Sequence, residues 1–162
     1  MKKIITIALI LLLTVGAFAQ EGKRLYNKYS DQEGVSAVYI SPAMFKLIGQ
    51  LPDINVETAD GKKMDMAPLI RSFSGFYMLN FENKSALSAE LYKEVTAMVN
   101  KSNFELLMEV KEDGSTVRMY TLGDEKVVNS FVCLVNEDDQ TMFFCLEGTM
   151  NRSDLEKLMA TM

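Results

Sequence analysis

Asp113-Gly114, set between two apolar runs, constrains this fold more than any other pair of residues in the chain. Residues 104–111 precede it and residues 116–121 follow. A two-residue connection of this composition is a hairpin turn, because glycine accepts the positive φ that suits the twist of the flanking strands. The loop length predicts Val110 opposite Val117, Met108 opposite Met119 and Leu106 opposite Thr121 on one face. On the other face it predicts Leu107 opposite Tyr120 and Glu109 opposite Arg118. The last pair reads as a solvent-side ion pair worth about 0.2–1 kcal/mol. Gly123-Asp124 then turns the chain into a strand over 127–135, and the polar run Asn136-Glu137-Asp138-Asp139 turns it into another over 140–147. The C-terminal half is a predicted meander.

The N-terminal half mixes helices with strands. Gly34 precedes a β-branched run over 35–40, a strand. Ser41-Pro42 opens a helix, with Ser as N-cap and Pro in the first turn. Its predicted buried stripe is Met44, Leu47, Ile48 and Leu51, and Pro52 ends it. Residues 53–63 are polar and contain Asp60-Gly61, so they read as a loop. Asp65 caps a second short helix carrying Met66, Leu69, Ile70 and Phe73, which Gly75 stops. Residues 76–81 read as a strand. A longer helix over 86–101 places Leu87, Leu91, Val95, Met98 and Val99 on one face. Ser153-x-x-Glu156 is a capping box that opens a last helix bearing Leu155, Leu158, Met159 and Met162. The sum is one α+β domain: an antiparallel, meander-rich sheet of five to six strands packed with three to four helices.

The last two strands carry both cysteines, Cys133 and Cys145. A three-residue loop over 137–139 places Cys133 opposite Phe143 and Cys145 opposite Phe131. The two sulfurs then share a face as diagonal neighbours, near disulfide reach. Two separate buried thiols is the other reading. In the same register Leu107, Tyr120, Val127, Phe131, Cys133, Val135, Phe143 and Cys145 line one face. Val128, Val132, Leu134, Met142, Phe144 and Leu146 line the other. A one-sided antiparallel sheet shows polar residues on its wet face. Here both faces are apolar, so either helices cover both, or one docks a partner, a second copy or an apolar ligand. Leu107, Tyr120, Phe131 and Phe143 are the candidate interaction residues.

Several chemistries are excluded by what the chain lacks. It contains no His, which removes Ser-His-Asp and Cys-His catalysis and imidazole-ligated metals. No Walker loop, G-x-G-x-x-G, G-x-S-x-G or EF-hand loop occurs. No C-x-x-C or basic neighbour activates either thiol. No cofactor, metal site or catalytic residue is predicted, and a hydrolase built on carboxylates alone remains the enzymatic alternative. The twelve Met residues read as core filler or as a plastic binding surface.

Lys2, Lys3, a twelve-residue apolar run from Ile4 to Val15 and the ending Ala17-Phe18-Ala19 form an export signal. The run is shorter than the roughly 20 apolar residues that span a bilayer. Cleavage is predicted after Ala19, leaving a domain of residues 20–162 with no Cys placed for lipid attachment. This domain carries a net charge of −7, since the signal holds two of the 17 basic residues and none of the 22 acids. Such a chain repels phosphate backbones, so nucleic acid is not a predicted partner, nor is membrane insertion after cleavage. The predicted location is periplasmic or secreted.

Gly34-Val35-Ser36-Ala37-Val38-Tyr39-Ile40-Ser41 with Met44-Phe45 resembles the opening of an uncharacterised domain family of exported Bacteroidetes proteins. Residues 104–111, Val117-Arg118-Met119-Tyr120 and Glu147-Gly148 followed by Asp154-Leu155 carry the same resemblance. It covers nearly all of residues 20–162. The family is one of unknown function and implies no catalytic or binding residue. Many of its members resemble lipoproteins, a feature that this chain lacks. The function expected from residues and resemblance together is a non-catalytic envelope module that binds a protein, itself or a small apolar ligand. A ligand-free structural or stress component of the envelope is the further alternative.

Overall fold

The computed structural model describes residues 20–52, 54–57, 61, 63–82 and 85–159, with backbone alone at Val56, Met64 and 157–159. The predicted export signal, Asp60 and Met162 lie outside these residues. Helix α1 (Glu21–Tyr29) leads into β1 (Val35–Ile40), α2 (Pro42–Ile48), β2 (Asn55–Glu57), β3 (Lys63–Asp65) and α3 (Ala67–Arg71). Then come β4 (Phe73–Glu82), α4 (Ala86–Lys101), β5 (Glu105–Glu112), β6 (Ser115–Gly123), β7 (Val127–Asn136), β8 (Gln140–Asn151) and α5 (Arg152–Met159). Six strands form one antiparallel sheet in the order β1-β4-β8-β7-β6-β5, while β2 and β3 pair separately. The fold is α+β, with five helices among the described residues.

One side of the sheet forms the main core. Tyr77, Leu79 and Phe81 of β4, Phe143 and Cys145 of β8, and Val132 and Leu134 of β7 meet Leu25 and Tyr29 of α1. Leu91, Val95, Met98 and Val99 of α4 complete it. The α4 stripe and its bounds match the sequence reading, and Ser85 and Ser88 cap it reciprocally. Helix α1 was not foreseen. Its buried residues Gly22, Leu25 and Tyr29 repeat at helical spacing, but they are few and lie next to the predicted export segment. Arg24–Glu94 at 3.3 Å and Lys28–Glu90 at 2.7 Å tie α1 to α4 across the surface.

A smaller cluster closes one end of the opposite side. Met66 and Leu69 from the α3 region pack there with Val128 and Met150, flanked by Phe73, Leu146 and Leu155. Helix α2 joins it by a different face from the one predicted. Phe45 is buried, its ring edge-on to Phe73 at 5.2 Å, whereas Met44, Leu47 and Leu51 stand 49%, 62% and 58% exposed. One aromatic ring in a fitted socket outweighs a longer stripe with nothing above it. The predicted loop over 53–63 contains β2 and the start of β3, with Gly61 at φ 77°. Helix α5 starts one turn-residue earlier than its predicted cap: Asn151 Oδ1 accepts from Ser153 N at 3.1 Å, replacing the Ser153 capping box.

Two registers differ from the sequence reading. The β5–β6 hairpin pairs Val110 with Val117, Glu109 with Arg118 and Met108 with Met119, as the turn predicts. A bulge between Leu106 and Met108 then sets Leu106 opposite Tyr120 and Glu105 opposite Thr121. The β7–β8 connection is one residue longer than predicted. Glu137 N donates to Gln140 O at 2.9 Å, and Leu134, not Cys133, lies opposite Phe143. A slip of one residue exchanges the faces of a whole strand.

Gly114 sits at φ 77°, and a Cβ added there would run into the Asp138 carboxylate. Gly114→Val therefore destabilises the protein by more than about 1 kcal/mol in chemical denaturation. An unchanged midpoint would show that the turn does not need glycine.

Candidate functional site

Directly opposed residues can be followed strand by strand across the sheet, and each file shares one face. On the side away from α1 and α4, the middle file is Val38, Met78, Phe144, Cys133, Met119 and Met108. It crosses all six strands without a polar side chain. The file beside it is Ser36, Asn80, Met142, Val135, Val117 and Val110, and the next begins Ile40, Phe76, Leu146 and Phe131. Phe76 to Phe144 is 6.2 Å and Phe144 to Phe131 is 6.3 Å between ring centroids, an aromatic run over three adjacent strands. At the ends of the middle file Val38 and Met108 are 44% and 42% exposed, and the large side chains between them are half-buried. The cluster around Met66 and Leu69 closes only the Leu146 end.

The four sequence-predicted interaction residues divide between the faces. Phe143 is fully buried beneath the helices, and Tyr120 is half-buried against the same core. Phe131 lies on the apolar outer face, and Leu107 sits in the edge-strand bulge, 38% exposed. The β8 slip accounts for Phe143, since the outer face carries Phe144 where the sequence reading places Phe143. Tyr120 leaves Phe131 for a separate reason, because β6 sets it opposite Val132 on the helix side. The β8 slip also separates the cysteines. Cys145 opposes Val132 on the helix side and Cys133 opposes Phe144 on the outer side, so they stand on opposite faces as free buried thiols. The disulfide alternative falls with the register that suggested it.

Sequence reasoning missed one group. Glu147, 4% exposed, ends the apolar run Phe143-Phe144-Cys145-Leu146, and that setting was its only signal. It opposes Ser130 of β7 and Gly75 of β4 on the helix side. Its Oε1 accepts from Gly22 N at 3.2 Å, in the first turn of α1. A Cβ at Gly22 would stand 2.8 Å from Cys145 Sγ and 3.0 Å from Glu147 Oε1, so only glycine lets the helix close over the carboxylate. Burial pushes the Glu147 carboxyl up to about 7. Burial also pushes the Cys145 thiol up to about 12, with its Sγ 3.4 Å from Ser130 Oγ, and the Cys133 thiol up to about 11. Both thiols are held in the form that does not attack.

Among the described residues no three His, Cys, Asp or Glu gather as metal ligands, and no helix is long and apolar enough to cross a membrane. Surface clefts lined by Glu105, Asp124 and Arg152, and by Gly49, Asn55, Asp65 and Arg71, do not reach Glu147.

A six-stranded antiparallel sheet with α1 and α4 over one face, a smaller helical cluster at one end of the other, and no catalytic group assembled among the described residues defines an α+β domain. The chain belongs to the family described as a domain of unknown function, DUF4252, whose model matches residues 29–158. No curated protein and no solved structure matches it. The matched region contains every strand of the described residues and begins at the last residue of α1.

Because the folded protein raises the Glu147 carboxyl from 4.5 to about 7, it holds a proton that the unfolded chain has already lost between those values. The stability that this proton supplies is complete below the lower value and is lost as pH rises through the upper one. Glu147→Gln is thus more stable than wild type at about pH 8, by on the order of 1–3 kcal/mol, and the gap closes by about pH 4. Denaturant titration of both proteins across that range checks it; a gap independent of pH would mean that Glu147 does not titrate there.

Proposed function

We propose that this protein is a non-catalytic module exported to the cell envelope, which binds its target on the apolar outer face of the sheet. The observation that carries the reading is the uncharged file from Val38 to Met108, which runs for roughly 24 Å across six strands. An antiparallel sheet that needed no cover there would alternate to polar residues. A contiguous apolar surface on a folded domain marks a site of association. The acidic net charge turns the target away from nucleic acid and towards protein or an apolar molecule. Export to a periplasmic or extracellular location rests on the Ala17-Phe18-Ala19 ending and its apolar run, and the resemblance to exported Bacteroidetes proteins supports it.

A carboxylate hydrolase has less to work with. The strongly raised carboxylate among the described residues, Glu147, is sealed beneath α1 beside a thiol and a hydroxyl. A ligand-free structural role leaves the outer face unexplained.

Two substitutions one residue apart test the binding reading. Phe143→Asp buries a charge in the helix-covered core and destabilises by roughly 3–5 kcal/mol. Phe144→Asp keeps the unfolding midpoint within about 5 °C of wild type and abolishes binding of the apolar dye Nile red by the native protein. Equal dye binding by wild type and Phe144→Asp would refute the face as the binding surface. Mass spectrometry of protein exported from a Gram-negative host should find Gln20 at the N-terminus; a chain retaining residues 1–19 would overturn the soluble-export part of the proposal.

A further inference from the structure

We infer that β5 is a self-recognition edge, pairing antiparallel with β5 of a second copy about a two-fold axis through Val110. This goes beyond the binding face and stands whether or not that face takes a ligand. Strand β5 ends the sheet and is hydrogen-bonded on one side only, to β6. All eight of its residues are exposed, and four are large and apolar: Leu106 at 50%, Leu107 at 38%, Met108 at 42% and Val110 at 39%. An open edge of this kind is a template for another strand.

The hairpin fixes which backbone groups face outward. Residues flanking a two-residue turn form a doubly hydrogen-bonded pair, and such pairs alternate along an antiparallel ladder. Glu112 opposite Ser115 is bonded inward, as are Val110 opposite Val117 and Met108 opposite Met119. Glu109 and Lys111 therefore present their N–H and C=O groups to the open side. An incoming strand must set its own outward residues against these two.

Charge selects both the partner and the register. If Val110 opposes Val110 of a second copy, Glu109 opposes Lys111 on each side of the axis. Sliding by one pair in either direction sets Glu109 against Glu109 or Lys111 against Lys111, and like charges directly opposed are destabilising. Within one chain Glu109 already accepts from Lys111 at 2.7 Å and Arg118 at 2.6 Å, so pairing joins two such networks across the axis. The bulge at Leu107 limits the regular part of the strand to residues 108–112, and this register uses all of it. Both outer faces then point the same way, and the file ending at Val110 continues unbroken into the second copy.

Val110 becomes a self-opposed, non-hydrogen-bonded position with Cα atoms about 4.5 Å apart, within the range that a disulfide spans. The native thiols are buried and do not compete. Val110→Cys should form a disulfide-linked dimer under mild oxidation at least about tenfold faster than Met108→Cys, which faces Glu112 of the other copy. In sedimentation, wild type should show a concentration-dependent dimer. Lys111→Glu, at a side chain 62% exposed, should be a folded monomer by circular dichroism, and adding Glu109→Lys should restore the dimer. Equal cross-linking at both cysteine positions, or identical sedimentation of wild type and Lys111→Glu, would overturn the inference. Nile red binding is a separate readout: Lys111→Glu leaves it unchanged, and Phe144→Asp leaves the Val110→Cys cross-link intact.

Discussion

Pairing of β8 with β4 on one side and β7 on the other is the constraint that orders the rest of the molecule. Leu79, Phe143 and Leu134 stand in one file across those three strands, and the two helices with the largest buried stripes pack over that file. Side chains alternate along a strand, so this single file decides the facing of every residue in the sheet. It puts Phe143 and Cys145 under α1 and α4, and by the same act puts Phe144 and Met142 outside. The apolar outer face is a consequence of that choice, since β8 is apolar at both parities from Met142 to Leu146.

Legibility in the sequence followed how many physical signals agreed at each place. Helix α4 has a cap at Ser85 and a four-turn stripe, and it was legible to the residue. The Asp113-Gly114 turn specified its hairpin for as far as the ladder stays regular. The bulge at Leu107 was not legible, because Leu106, Leu107 and Met108 are interchangeable as apolar residues. The β7–β8 turn offered polar residues from Asn136 to Gln140 and no glycine, so nothing in the chain chose between loops differing by one residue. That one residue carried the candidate site with it: Phe131 was placed on the outer face, Phe143 was not, and Phe76 and Phe144 were not recognised. Glu147 was hidden for another reason: a lone acid in an apolar run reads as a strand end until its helix partner is seen.

Helix α1 and Glu147 form a second dependency. The helix rests on the sheet by Leu25 and Tyr29, and its first turn comes down on a carboxylate that burial disfavours. The Gly22 amide compensates in part, as backbone donors at a helix start do for an anion. The domain thus carries a titratable group under the element that lies almost wholly outside the family-matched region. Local opening of α1 would release that group to water, so ionisation of Glu147 at rising pH favours the open helix.

The segregation of the two thiols ties the choice of β-register to their chemistry. A β7–β8 hairpin formed one residue out of step brings Cys133 and Cys145 onto the same face as diagonal neighbours. Oxidation at that moment would lock the error covalently, since uncatalysed reshuffling takes minutes to hours. The native register removes each sulfur to its own side of the sheet and buries it. Where an oxidant is present, pairing in the native register keeps the two thiols apart, and pairing one residue out of step brings them together.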